Sequence, residues 1–164
     1  MALGAFLRIA GQQQGEIRGS VESEGRENSI LVDSFSHEIV SPRDPASGSP
    51  IGKRQHRPLQ ILAGVDKCFP LLWDAFINNE KLIAWELQFW TLAETAEDAD
   101  TKIYSIKLTN ASIASIRESM IDNEVTIGAQ LSVRQEITFT YQKIEWVWAD
   151  NGATAQGDWP SSQA

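Results

Sequence analysis

An alternation of apolar and polar residues with a period of two recurs along most of this chain, and it narrows the possible folds more than any other feature. Successive side chains of a β-strand point to opposite faces, so this pattern marks strands with one face buried. Between Leu82 and Leu92, Ile83, Trp85, Leu87 and Phe89 fall on one face, and Glu86 and Gln88 on the other. Tyr104, Ile106 and Leu108 repeat the pattern within Ile103–Leu108, and Ala111–Arg117 is a further strand candidate. Near the C-terminus Ile137, Phe139 and Tyr141 alternate, and so do Ile144, Trp146 and Trp148, but out of phase with the first set. One extra residue near Gln142 or Lys143, a β-bulge, would keep both aromatic sets on the buried side. Phe6–Ile9, Glu16–Ser20 and Ser29–Val40 also read as extended.

One segment departs from the period. From Phe69 to Ile77 the apolar residues Phe69, Leu72, Trp73, Phe76 and Ile77 recur at intervals of three and four, with Pro70 at a first-turn position. Asn78 and Asn79 supply a stop, which predicts one short amphipathic helix over about 68–78. So short a helix is marginal alone and needs a sheet to pack on. The expected fold is therefore mainly β: an antiparallel two-sheet β-barrel or sandwich with one short α-helix and a long extended loop. At 164 residues the chain suits a single domain, placed at 1–150. Residues 151–164, rich in Gly, Ser, Ala and Gln, are expected to form a flexible tail apart from Trp159.

The loop spans 41–57, SPRDPASGSPIGKRQHR. Pro42, Pro45, Pro50, Gly48 and Gly52 bar both a helix and a central strand from running through it. Unstructured connections of this length are uncommon in compact domains, and they usually have a job or are disordered. Arg43, Lys53, Arg54 and Arg57 against Asp44 leave it three positive charges in surplus. The whole chain carries −8, so the remainder carries −11, and Glu94–Asp100 alone holds four acids and no base. A basic arm on an acidic body predicts contact between copies of the chain through Arg43, Asp44, Lys53, Arg54, His56 and Arg57. The alternative is a solvated surface loop.

The negative charge argues against nucleic acid and against an anionic membrane surface as partners. No apolar run approaches a membrane span. The N-terminal stretch lacks a basic region and Arg8 interrupts it, which argues against a Sec-type signal. Cys68 is the one cysteine, as expected of a chain that folds in the reducing cytoplasm. Any export would then use a route without a cleavable signal.

Catalytic and metal chemistry find little purchase. His37, His56 and Cys68 lie 19 and 12 residues apart, which matches no zinc pattern, and Cys68 has no histidine base nearby in sequence. No phosphate-cradling glycine loop, dinucleotide fingerprint or nucleophile elbow occurs. Glu86 and Glu145 could imitate a glycosidase pair, although carboxylates on the polar face of a sheet are common. No enzyme activity and no cofactor are expected. The six tryptophans leave a sugar- or ligand-binding β-sandwich as the rival reading, but Trp73, Trp85 and Trp146 fall on the apolar phase of their elements. Trp90 falls on the opposite phase from Trp85.

The motifs GQQQGEI (Gly11–Ile17), SHEIVSPRDPASGSPIGKRQHRPL (Ser36–Leu59), DKCFPLLWDAFINNE (Asp66–Glu80), WELQFW (Trp85–Trp90), YSIKLTNASIASI (Tyr104–Ile116) and FTYQKIEWVW (Phe139–Trp148) stand in one collinear series. In these the chain resembles the Hcp (haemolysin co-regulated protein) family, tube proteins of the type VI secretion system, from Phe6 to about Trp159. The resemblance implies a β-barrel of two sheets with one helix, assembling into a homo-hexameric ring. Such rings stack into the inner tube that a contractile sheath drives out of the cell behind a spike protein, with effector proteins carried in the lumen. It implies a protein made in the cytoplasm and then secreted. It also implies that the long loop contacts neighbouring subunits, and that Ser36, in DSFSHE, faces the lumen and its cargo. Family members often have an aromatic residue where this chain has His37. The span Met120–Glu136 departs most from the family pattern.

Overall fold

A computed structural model of the protein describes residues 2–120 and 133–160. Two antiparallel sheets carry the fold. In the larger, the strand order is β13 (Thr154–Asp158), β12 (Lys143–Trp148), β9 (Thr101–Thr109), β8 (Leu82–Leu92), β1 (Ala2–Gly11) and β2 (Gly15–Ile17), and β3 (Ile30–Val32) also pairs with β1. The smaller runs β10 (Ser112–Met120), β11 (Val133–Thr140), β7 (Leu59–Gly64) and β4 (Ser34–Ser36). A two-stranded ribbon, β5 (Ile39–Val40) with β6 (Gln55–His56), stands apart from both.

Alternation decides the packing. Leu7, Ile9, Trp85, Leu87, Ile106, Leu108 and Ile144 point inward from the larger sheet, and Leu59, Ile61, Ala63, Ile113, Ile137 and Phe139 from the smaller. Trp85 meets Phe139 edge to face at 5.4 Å between ring centres, which ties the two layers together. Each such side chain contributes about 1.5–3 kcal/mol when fully buried. The sheets do not close into a continuous barrel, so the arrangement is a sandwich.

The expected helix is α1 (Phe69–Ile77), packed against β10. Phe69, Leu72 and Ala75 form its buried stripe, whereas Ile77, expected on that face, is exposed and Trp73 is half-buried. Its end is set by Asn79 at φ 49°, a left-handed conformation that asparagine tolerates better than most residues. From there Glu80 N–H donates to Ala75 O (2.8 Å) and Asn79 N–H to Phe76 O (3.2 Å), which closes the last turn.

Three expectations are corrected. In β8, Ala10 pairs with Ala84 and Gly11 with Leu82, leaving Ile83 unmatched in a bulge. The bulge reverses the phase, so Ile83 is 60% exposed and Leu82 takes the buried side. The phase break at Gln142 and Lys143 is not a bulge within one strand. It is a corner where the chain leaves the smaller sheet at Thr140 and joins the larger at Lys143, with Tyr141 buried between them and Gln142 N–H bonded to Thr109 O. Beyond it Trp146 is half-buried and Trp148 is 45% exposed. Of the stretch 151–164 expected to be flexible, Thr154–Asp158 is instead strand β13, paired along β12, and Trp159 N–H bonds Gln142 O. Within the divergent span Met120–Glu136, residues 121–132 lie outside the described residues.

Candidate functional site

The proline- and glycine-rich loop folds back on itself. Ile39 pairs with His56 and Val40 with Gln55, and further out Arg43 bridges Pro50 while Ile51 N–H reaches Pro42 O at 2.9 Å. No central strand runs through it, as the prolines require, yet it is a ribbon rather than an unstructured loop. Asp44 closes the tip: its carboxylate accepts from Ala46 N–H at 2.8 Å, and its own N–H donates to Ser49 O. Gly48 at φ +71° supplies the left-handed residue that this tight tip needs.

Four of the expected contact residues, Arg43, Lys53, Arg54 and Arg57, are exposed on this ribbon. None of them forms an ion pair with a described residue. Several bases of the body do form such pairs. Arg26 pairs with Asp100, Arg134 with Asp33, Arg18 with Glu16 and Lys102 with Glu86. Among the described residues the ribbon's four bases are unpaired, as are Lys67, Lys81 and Lys107 of the body. A cleft of about 730 Å³ separates ribbon from sandwich, lined by Lys53 and Arg54 on one side and Gln156 and Asp158 of the edge strand β13 on the other.

His56, the remaining ribbon residue expected at an interface, turns inward. Its Nδ1 lies 2.7 Å from Tyr141 Oη, and His37 Nε2 lies 2.8 Å from the same oxygen. Trp159 packs edge-on against Tyr141 at 5.0 Å, and Trp146 lies beside His37 at 6.4 Å. Burial holds His37 below the ordinary imidazole range, with the charge of His56 adding to it. Burial lowers His56 too; Arg54 lowers it further and Asp158 opposes. Burial pushes the Tyr141 hydroxyl up. Both histidines of the chain thus converge, which their 19-residue spacing did not suggest.

Ser36 ends β4, the edge strand of the smaller sheet, opposite Gln60, and it is exposed. Cys68 is fully buried, and burial together with Asp66 raises its thiol far above the usual range, so it offers no thiolate. Glu86 and Glu145 sit opposite the same residue, Lys107, one from each flanking strand. Charges of both signs alternating across neighbouring strands are an ordinary arrangement for the polar face of a sheet. Among the described residues no group of three His, Cys, Asp or Glu side chains could hold a metal. Among the described residues no helix is long and apolar enough to cross a membrane.

Two structural anchors went unread in the sequence. Glu80 receives Gln13 N–H at 2.6 Å, Gln14 N–H at 2.7 Å and Gln14 Nε2 at 2.8 Å, fixing the β1–β2 turn to the end of α1. Arg26, buried, lies between the rings of Phe6 (4.7 Å) and Trp90 (4.8 Å), which accounts for the half-buried Trp90. The conjunction of GQQQG with NNE was the one available signal for the first. The second had none.

Comparison with known proteins places this geometry in a context. A family model described as "Type VI secretion system effector, Hcp" matches residues 6–148. A protein of Pseudomonas aeruginosa named "Major exported protein" is 33% identical, covering 100% of this chain and 99% of that one. An Hcp protein of known crystal structure superposes with a TM-score of 0.86 at 25% identity, over 98% of this chain and 100% of its own. The secreted protein Hcp3 of Pseudomonas aeruginosa does so with a TM-score of 0.76 at 28% identity, over 98% and 100%.

Proposed function

Because the chain belongs to the Hcp family of type VI secretion proteins, we propose that it is a structural tube subunit that assembles into hexameric rings and carries effectors in their lumen. The observation that supports this most directly is the ribbon. It is a basic arm whose bases have no ion-pairing partner among the described residues, standing off a body that carries −11. Opposite charge on a second copy is the partner that such an arm fits, and complementarity of this kind fixes orientation and register more than raw affinity. In this reading Arg43, Lys53, Arg54 and Arg57 meet acidic surface on the neighbouring subunit, Asp44 shapes the tip, and His56 anchors the base.

The protein's work on this reading is assembly rather than turnover: arm against neighbour within a ring, and ring against ring along a tube. Ser36, exposed at the edge of β4, lies on the luminal wall in contact with cargo. The chain leaves the cell as part of the tube, with sheath and spike as its partners in the machine. A single experiment tests ring and cargo together. Wild-type chain and Ser36→Gln are each purified with a co-expressed effector and imaged by negative stain. Six-fold rings are expected from both, with effector retained by the wild type and reduced severalfold in the variant, whose longer side chain projects into the cargo's space. Rings lost in Ser36→Gln, or retention unchanged, would remove Ser36 from the lumen.

A further inference from the structure

Both ends of the ribbon bond one oxygen atom of the sandwich. His37 precedes β5 and His56 lies in β6, so the two imidazoles flank the ribbon's root, and Tyr141 at the β11–β12 corner bonds both. We propose that His37, Tyr141 and His56 form an acid-sensitive clasp, which holds the ribbon on the sandwich while both imidazoles are neutral and releases it when they are protonated. The proposal rests on the arm reading above only for its consequence for assembly.

The argument is one of hydrogen-bond inventory. A tyrosine hydroxyl has one proton to give and lone pairs to receive. With neutral rings, one imidazole accepts from Oη–H while the other donates to Oη, and both bonds to the hydroxyl are made. An imidazolium has only donors. Protonating the accepting ring therefore takes away the acceptor of the hydroxyl proton, and a second proton adds repulsion between two cations that share one neighbour. Tyr141 is buried, so water cannot readily replace the lost bond.

The surrounding charges do not cancel this. Asp158 on β13 faces His56 and favours its protonated form, but Arg54 on the ribbon opposes it, and His37 feels the charge of His56. Lys143 on β12 lies opposite Asp158 in the strand register. Glu38 and Arg57, of opposite charge, line the hollow beside His37, and Trp146 and Trp159 offer rings and no charge. Both imidazoles are lowered from the ordinary 6.5. A ribbon that has come away regains the ordinary value and binds more protons, so the closed clasp weakens as pH falls through 6.5 toward the lowered values.

Hydrogen exchange on the full chain tests this, with rates divided by their intrinsic values at about pH 7.5 and about pH 5. Protection of the ribbon amides, Arg57 N–H to Glu38 O among them, is expected to fall roughly tenfold or more between these conditions while β7 stays protected. In Tyr141→Phe, which keeps the ring and removes the shared oxygen, the ribbon is expected to be open already at the higher pH, with no further step. A wild-type ribbon equally protected at both pH values, or an unchanged step in Tyr141→Phe, overturns the clasp. A second measurement needs no variant. The chain has two histidines, so ¹³C-labelled histidine gives two resonances, expected to titrate below 6.5 in step with the exchange change. Two resonances titrating at or above that value also overturn it. Light scattering on the same samples separates the two readings: a ribbon step at constant particle mass supports the clasp and counts against the arm as the assembly contact.

Discussion

Glu80 shows how one buried side chain can determine a whole corner of the molecule. Burial works against its charge, yet N–H donors from Gln13 and Gln14 hold its carboxyl below the usual range. The approach is close enough that a Cβ on Gly11 would lie 2.4 Å from Glu80 Oε1, so only glycine fits there without displacing the carboxylate. Glu80→Gln keeps the shape but turns an amide NH₂ toward donors, and a buried donor left unpaired costs about 1–3 kcal/mol. Thermal unfolding at matched concentration should show that loss near neutral pH. Because the native carboxyl is lowered from 4.5, its contribution is present above that value and disappears as pH falls through the native one. The variant and the wild type should therefore converge in acid. Equal melting points near neutral pH would show that the turn holds without the carboxylate. The sequence carried both halves of this contact, GQQQG and NNE, but no rule of spacing joins residues 66 positions apart. The same limit hid the clasp, whose bonds span 104 and 85 positions.

Elements were far more legible than contacts. The period-two pattern located β8, β9, β11 and β12, and the three-four pattern located α1, because burial on one face leaves its mark on neighbouring residues of the chain. What failed was phase. Ile83 and the Gln142 corner are both places where backbone pairing, not side-chain pattern, decides which face a residue takes. The polar tail concealed β13 because an edge strand in solvent needs no apolar stripe, and its residues are mostly exposed. The arm was legible as an exception, through its prolines and its charge, although its ribbon form was not. Deleting Asp44–Arg54 tests it at this scale. The cut leaves Ser41, Pro42 and Arg43 to connect Val40 with Gln55, which already pair, so the strands on either side and the sandwich survive. The shortened chain should keep its β circular dichroism and run as a monomer in light scattering. Single changes such as Arg43→Ala should be tolerated, since exposed pairs contribute about 0.2–1 kcal/mol each. A shortened chain that still assembles would reduce the arm to decoration, and one that fails to fold would move it into the core.

At the scale of the whole molecule, charge and shape point the same way. A body at −11 repels its copies; on the proposed reading that repulsion is overcome where the arm delivers positive charge to each neighbour in turn. An arm on one copy and its acceptor on the next make a heterologous contact, which closes into a ring when the rotation between neighbours divides the circle evenly. The sandwich itself was readable from alternation, and the family from the order of its motifs. The angle between neighbours was not, because on that reading it depends on how the ribbon leaves the fold at His37 and His56. Native mass spectrometry of the full chain, from dilute solution at low salt, tests ring formation most directly. A single dominant species at six times the chain mass, shifting to the single-chain mass when Asp44–Arg54 is removed, is the predicted result. A full-length chain that flies as a monomer under the same conditions would contradict it.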